Sequence, residues 1–405
     1  MTQYHITRLG MYGDGIAEGP VFAPLTLPGE VVTGTLNGAS LTDVKIITPS
    51  DARVAPPCRH FKSCGGCQLQ HGSDALVADW KTTLIEQALA AQGLKTEIRP
   101  IATSPAQSRR RATFAARRTK KGTMSGFHGR ASGTVVEIPD CKLVEPELLL
   151  ARDICEALAD LGGSRKATLA VTVTTSPRGL DVQASGGKPI DGPLRITLAG
   201  LCDSRGFARL TWEDEVIAQR APPVQRFGNA DVCPPPGAFM QATAHGEAEL
   251  LKAVQESVEG AKRIVDLFAG CGTFTLPLAK DAEVFAVESD AQMLVAMDKG
   301  WRMAKGLKTV THVARDLYRR PLLPDEFKKF DAVVVDPPRS GAEAQTAELV
   351  RSDIKRIAYV SCNPVTFARD VAVLVAGGFT LDWVQPVDQF RWSAHVELAA
   401  QLTRR

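Results

Sequence analysis

The chain has 405 residues, 44% of them apolar and 23% charged, a globular composition that excludes disorder and collagen-like repetition and has room for two or three domains. Its 48 basic and 45 acidic residues leave a net charge of +3, too mild to argue for a nucleic-acid partner, so any such partner needs a local basic patch. No basic start followed by an apolar run opens the chain, and no stretch approaches the roughly 18 apolar residues of a membrane span.

A cytoplasmic protein without a membrane partner is therefore expected, and its nine cysteines point to metal, catalysis or burial rather than disulfides.

Residues 1–52 read as a small β-barrel. Gly10, Gly13, Gly15, Gly19 and Pro20 punctuate short apolar pieces, and Ile46-Ile47-Thr48-Pro49 would close it. Barrels of this size are often RNA-binding when OB-like. Residues 53–230 read as a mixed α+β central domain. Cysteines open it, a helix is predicted over 79–92 with Gly93 as its stop, and strands over 110–118, 126–138 and 167–174. Cys233-Pro234-Pro235-Pro236-Gly237 is a strong break. From 231 to 405 strands alternate with helices: strands over 263–268, 283–288, 310–313, 332–336 and 356–361, helices from 274 and over 291–303. That alternation predicts a parallel sheet covered on both faces, an α/β fold.

The first of these strands runs into Asp266-Leu267-Phe268-Ala269-Gly270-Cys271-Gly272-Thr273. Glycines after a parallel strand let backbone approach a ligand. Thr275 stands where a dinucleotide fingerprint would need a third small residue, which weakens an NAD reading. The next strand ends at Glu288, 18 residues beyond Gly270, where a carboxylate can accept from ribose hydroxyls. S-adenosylmethionine (SAM), with a ribose but no pyrophosphate, suits this pattern. Asp316 follows the third strand, where it could reach the adenine end of the ligand.

Asp336-Pro337-Pro338-Arg339-Ser340-Gly341 leaves an apolar strand into a loop stiffened by two prolines. The next strand ends in Ser361-Cys362-Asn363-Pro364, so Cys362 is expected at the carboxyl edge of the sheet, where a thiolate could attack an electrophilic carbon. In Ser393-Ala394-His395-Val396-Glu397-Leu398, strand alternation would place His395 and Glu397 on one face, and a Glu beside an apolar pocket can serve as a base. Upstream, Cys58, Cys64, Cys67 and the remote Cys141 offer four thiolates for zinc or an iron–sulfur cluster, and spacing does not choose between them. Arg109, Arg110, Arg111, Arg117, Arg118, Lys120 and Lys121 form the basic patch that net charge conceals, with Phe114 and Phe127 as candidates for base stacking.

DLFAGCGTFTLPLA, DPPRSG, SCNP and HVE, in this order, resemble the RNA uracil-5-methyltransferase family, whose members use SAM to methylate C5 of uridine in tRNA or ribosomal RNA. The catalytic resemblance runs from about Phe239 to the C-terminus. It implies a Rossmann-like SAM-dependent domain over 231–405, with Cys362 as the thiolate that adds to C6, Glu397 as the base that removes the C5 proton and Asp336 beside nucleophile and methyl donor. It further implies SAM contacts at Gln241, Phe268, Gly270, Thr273, Glu288, Asp316 and Asp336. Some relatives carry Asn where Thr273 stands.

In the ribosomal-RNA branch, Cys58, Cys64, Cys67 and Cys141 match the ligands of a [4Fe-4S] cluster, read as a structural clamp because methyl transfer moves no net electrons. Residues 1–52 resemble the TRAM domain, an RNA-binding module. The expectation is a 23S rRNA enzyme with no obligate protein partner. The tRNA branch is ranked lower because its resembling enzymes lack both barrel and cysteine cluster. A non-catalytic RNA-binding or assembly factor on the same fold, and a methyltransferase acting on nitrogen, are the rivals.

Overall fold

The computed structural model describes residues 2–405. Five strands, Gln3–Leu9, Gly15–Ala17, Val21–Ala23, Val31–Asn37 and Ser40–Thr48, close into a barrel around Ile6, Ala17, Val21, Ala23, Val32 and Leu41. Its closing strand runs through Ile46–Thr48, as the sequence predicts. Gly15 must be glycine, because a Cβ there would meet the Thr26 hydroxyl at 2.1 Å. Glu30, buried at the barrel base, receives Arg53 and the Leu27 amide, which fixes the exit of the chain.

The central unit is a seven-stranded sheet ordered Val135–Val136, Thr123–His128, Arg111–Arg118, Leu169–Thr174, Asp181–Ser185, Arg209–Trp212 and Glu215–Gln219. Helices Pro146–Gly162 and Gly192–Arg205 pack on it. The run 126–138, read from sequence as one strand, is two: Gly129 and the turn through Ser132 fold Val135–Val136 back onto Phe127 and His128.

The C-terminal sheet is ordered Val310–Ala314, Glu283–Glu288, Arg263–Leu267, Ala332–Val335, Arg356–Ser361, Glu397–Thr403 and Thr380–Asp388. The first five are parallel; the three at the centre of the sheet, Arg263–Leu267, Ala332–Val335 and Arg356–Ser361, are buried on both faces, which explains their apolar runs, while the edge strand Val310–Ala314 is exposed beyond Val310. The expected parallel sheet needs one correction: Glu397–Thr403 inserts antiparallel between Arg356–Ser361 and Thr380–Asp388. His395 precedes this strand and is exposed while Glu397 is buried, so alternation does not put them on one face. Strand order reverses between Arg263–Leu267 and Ala332–Val335, the crevice where open α/β sheets bind ligands.

Part of the expected central domain belongs to this sheet. The helix predicted over 79–92 runs Asp74–Ala90, started early by Ser73, whose hydroxyl accepts the Leu76 N–H at 3.2 Å. Its Ile85 and Leu89 join the core beneath the C-terminal sheet, and Glu97–Ile98 and Ala102–Thr103 pair with Thr380–Asp388. Among the described residues no helix is long and apolar enough to cross a membrane.

Candidate active site

Gln241, Phe268, Gly270, Thr273, Glu288, Asp316, Asp336, Cys362 and Glu397 all line one cavity of about 420 Å³ at the carboxyl ends of the parallel strands. The backbone turns sharply after Leu267: Phe268, Gly270 and Gly272 all have positive φ. At Gly272 a Cβ would meet the Met297 side chain at 2.7 Å, whereas at Gly270 it would meet nothing within 4 Å, so the glycine leaves a cradle open at the cavity wall. Glu288 holds this turn, accepting from the Gly270 amide at 3.0 Å through Oε2 and from the Ser289 and Asp290 amides through Oε1. Oε2 keeps a lone pair for a further donor, which fits a ribose hydroxyl. Asp316 accepts from the Tyr318 amide at 2.9 Å, and the Tyr318 ring packs on Phe268 with centroids 5.7 Å apart. The open glycine cradle, the carboxylate with spare capacity and the Phe268–Tyr318 wall fit a nucleoside-bearing donor such as SAM.

Cys362 lies directly after its strand, half-buried, where the chain enters the helix Pro364–Ala376. Asn363 caps that helix through its side chain and donates its amide to the Arg339 carbonyl at 3.0 Å, tying the two loops together. Burial, then Glu397 and Asp336, push the thiol up to about 11, while the Arg339 guanidinium pulls the other way. Glu397, 3% exposed, is pushed up to about 8 by burial and by Asp336. Its Oε2 has no hydrogen-bond partner. Burial and the neighbouring Asp266 raise Asp336 to about 7. Two carboxyl groups with raised affinity for protons thus flank a thiol.

Sequence reasoning missed the supports of this arrangement. Gln389, buried, accepts from the Ala242 amide at 2.7 Å through Oε1, so its Nε2 must donate; it does so to Gln241 Oε1 and also favours the Glu397 carboxylate. Lys81 is wholly buried and paired with Asp388 at 2.6 Å, anchoring the segment that leads to Glu397. Tyr318 donates to the Gly341 carbonyl at 3.0 Å and pins the proline loop. Arg339 was visible within DPPRSG but had no assigned part; its Nη2 lies 2.8 Å from His395 Nδ1.

The basic patch is less uniform than the sequence reading expects. Arg110 is buried, paired with Glu247 and bonded to the Gln241 carbonyl, so it docks the central sheet against the cavity-lining Gln241 instead of facing solvent. Arg111 donates to the Ala238 carbonyl. Phe114 is fully buried, and the half-buried Phe127 stacks on it at 5.3 Å.

Cys58, Cys64, Cys67 and Cys141 are 7–8% exposed, and the last three share one core with Trp392. Burial raises the Cys64, Cys67 and Cys141 thiols, Cys67 to about 12, and neighbouring thiols add to the effect. Cys64 accepts from the Gly66 amide and Cys141 from the Leu143 amide, each at 3.4 Å. The four are neighbours, yet among the described residues no three His, Cys, Asp or Glu side chains draw together tightly enough to hold a metal ion. Cys155, Cys202 and Cys271 are buried and Cys233 half-buried, and Cys271 lines the main cavity.

The family model for tRNA (uracil-5-)-methyltransferases matches residues 302–405. An RNA methyltransferase of Brucella suis is 42% identical over 99% of this chain and 98% of its own. The 23S rRNA (uracil(1939)-C(5))-methyltransferase RlmD of a Marinomonas species is 29% identical over 94% and 89%. The crystal structure of the Pyrococcus abyssi tRNA (uracil-54, C5)-methyltransferase with S-adenosyl-L-homocysteine matches at TM-score 0.77 and 23% identity, covering 99% of both chains. A tRNA enzyme thus shares the fold over the whole chain, so the barrel no longer counts against the tRNA branch. By these relationships the chain belongs to the RNA (uracil-5-)-methyltransferase family and is a SAM-dependent enzyme of that family.

Proposed function

We propose that this enzyme methylates C5 of a uridine in 23S rRNA through a covalent adduct at Cys362. The observation that carries this reading is the convergence of Cys362, Asp336 and Glu397 on the cavity that holds the cofactor-binding turn. Uracil C5 is a weak nucleophile. Cys362 Sγ, as thiolate, adds to C6, and the electron pair of the C5=C6 bond moves onto C5 and the C4 carbonyl oxygen. Bound SAM supplies the electrophilic methyl group that C5 takes. Glu397, with its unpartnered Oε2, removes the C5 proton; the C5=C6 bond re-forms and Sγ leaves. The N-terminus of helix Pro364–Ala376 and Arg339 favour the thiolate. Asp336 keeps negative charge beside the methyl donor. Gln241, Phe268, Gly270, Thr273, Glu288 and Asp316 bind the donor, Glu288 at its ribose and Asp316 at its adenine.

We read residues 1–52 as a TRAM-like RNA-binding barrel, residues 53–230, apart from the helix and strands of 74–103 that join the C-terminal sheet, as the cysteine-bearing RNA-binding domain, and residues 231–405 as the catalytic domain. Cys58, Cys64, Cys67 and Cys141 would hold a [4Fe-4S] cluster that cross-links the loop 58–67 to the hairpin preceding Cys141. The shared burial of the four thiols and the N–H donors at Cys64 and Cys141 support that reading. Iron and sulfide in anaerobically purified protein, expected near four each per chain for a [4Fe-4S] cluster and lost in Cys141→Ala, test it. Zinc without sulfide would overturn it.

The likeness to the RlmD relative favours 23S rRNA. The full-length fold match to a tRNA enzyme makes tRNA the second reading. Incubation with SAM and 5-fluorouridine-bearing 23S rRNA fragments or tRNA decides between them. The expected result is an SDS-stable adduct with an rRNA fragment, absent in Cys362→Ala. Adduct with tRNA alone would move the target, and SAM binding without adduct on any RNA would refute the covalent route.

A further inference from the structure

A second cavity, about 460 Å³, lies beside the cysteine loop, outside the catalytic pocket, and is lined by Gly66, Gln68, Arg109, Thr113, Phe127 and Arg130 among others. We propose that it binds a second, unpaired nucleotide of the same RNA, near the target uridine in sequence; this rests on the RNA-methylating reading above.

The walls carry the argument. Phe127 has one face stacked on Phe114, 5.3 Å between centroids, which holds its ring rigid at the groove. Gly66 of the cysteine loop lies against that ring, at a distance where even a Cβ would make ordinary contact with Phe127, 3.4 Å away. Two guanidinium groups flank the aromatic wall. Arg130 donates from Nη2 to the Cys67 carbonyl at 2.7 Å, while its buried Nε has no partner. Arg109 donates from Nε to the Arg111 carbonyl at 3.0 Å. Buried Gln68 Oε1, also at the wall, has no partner. An aromatic surface, two cations bonded only to carbonyl oxygens and an unsatisfied acceptor together match a base and its phosphate.

The groove also connects to the nucleophile. The Arg109 guanidinium lies over the Phe390 ring at 5.7 Å, and Phe390 meets His395 edge-on at 5.7 Å. His395 contacts Arg339 at 2.8 Å, and both line a smaller cavity of about 270 Å³ that ends on Cys362. Cations and aromatic rings alternate from one cavity to the other, the surface a single strand follows. Arg109 and Arg130 also lie near the Cys64, Cys67 and Cys141 thiols and would balance negative charge there. Phe127 and Gln68 have no such use.

The test uses full-length protein and a short RNA with 4-thiouridine placed within three positions of the target. Near-ultraviolet crosslinks are expected to map to residues 65–68 or 127–130. Thr113→Phe, an exposed substitution that fills the groove, is expected to weaken RNA binding about tenfold and leave SAM affinity and metal content unchanged. Phe127→Leu should weaken it by a similar factor. Wild-type RNA affinity in Thr113→Phe, with no crosslink in the groove, would overturn the proposal. A 5-fluorouridine adduct in the same RNA reports separately on Cys362: its failure refutes the catalytic reading, while crosslinks and affinities still decide the groove.

Discussion

Binding of SAM should release protons that binding of its demethylated product does not. Glu397 and Asp336 hold protons up to about 8 and about 7 because both are buried in the cavity wall, Glu397 beside the charge of Asp336 and Asp336 beside that of Asp266. SAM brings a sulfonium, a fixed positive charge; S-adenosylhomocysteine is a neutral thioether at that position. A cavity of about 420 Å³ is only about 9 Å across, so a cation within it lies roughly 5 Å from a carboxylate on its wall. At an effective dielectric constant near 20 that charge is worth about 3 kcal/mol, or about two pKa units downward. At pH 7.5 the empty site holds most of a proton on Glu397 and part of one on Asp336, and the SAM complex holds almost none. About one proton should leave per SAM bound, and far fewer per S-adenosylhomocysteine. Calorimetric titrations of both ligands, repeated in buffers of different ionisation enthalpy, measure this directly. Equal proton release would refute the argument, because it would mean that the carboxyl pair does not face the sulfonium. The consequence for catalysis is that the donor itself converts Glu397 into a base just before one is needed.

Glu397→Gln should retain methylation of the adduct yet block elimination, so that unmodified RNA forms an SDS-stable, C5-methylated complex while turnover falls about 10²–10⁴-fold; a variant that turns over normally without adduct would exclude Glu397 as the base. Gln389→Leu orphans the Ala242 amide and releases Gln241, so a stability loss of about 1–3 kcal/mol and weaker SAM binding are expected, with the alkaline rise in rate moved to higher pH because a donor to the carboxylate is gone. Lys81→Met leaves Asp388 buried and unpaired, and should destabilise the catalytic domain by about 3–5 kcal/mol in urea, largely recovered when Asp388→Leu is added. Asp266, Asp336 and Glu397 all bind protons more tightly folded than unfolded, so the SAM-free protein should melt at a higher temperature as pH falls from 8.5 to 6.5, and a Tm that instead falls over this window would count against these raised affinities.

The catalytic sheet is legible in the sequence because its central parallel strands are buried on both faces and end on loops of distinctive composition. Cys362, Asp336, Glu288 and the glycine turn all lie within a residue or two of a strand end, so period and punctuation alone carry them to one edge. Glu397 is legible as a residue but not as an environment. Its burial comes from antiparallel insertion between two strands, a pairing set more than 35 residues away in sequence at Ser361. Arg110 misleads for the same reason: within Arg109-Arg110-Arg111 nothing distinguishes it from its neighbours, and only the distant Glu247 turns it inward.

Tyr318 apart, the supports that escape sequence reading meet in one place, the segment from Asp388 to Val396. Lys81 holds its start through Asp388 and the Phe390 carbonyl, and Arg391 reaches Asp74 and the Ser104 carbonyl. Trp392, whose φ is +61°, offers its carbonyl to the amides of both Gln68 and Leu69, at 2.7 and 3.0 Å, immediately beyond Cys67. The cysteine loop and the helix Asp74–Ala90 therefore grip the segment that carries Gln389 before it and Glu397 after it. That grip gives the four cysteines a mechanical reason to sit in a methyltransferase whose chemistry moves no electrons. The loop that carries Cys64 and Cys67 holds Trp392 in a backbone conformation unfavourable for a bulky residue, and through it helps to fix where Gln389, bonded to Gln241, and Glu397 stand.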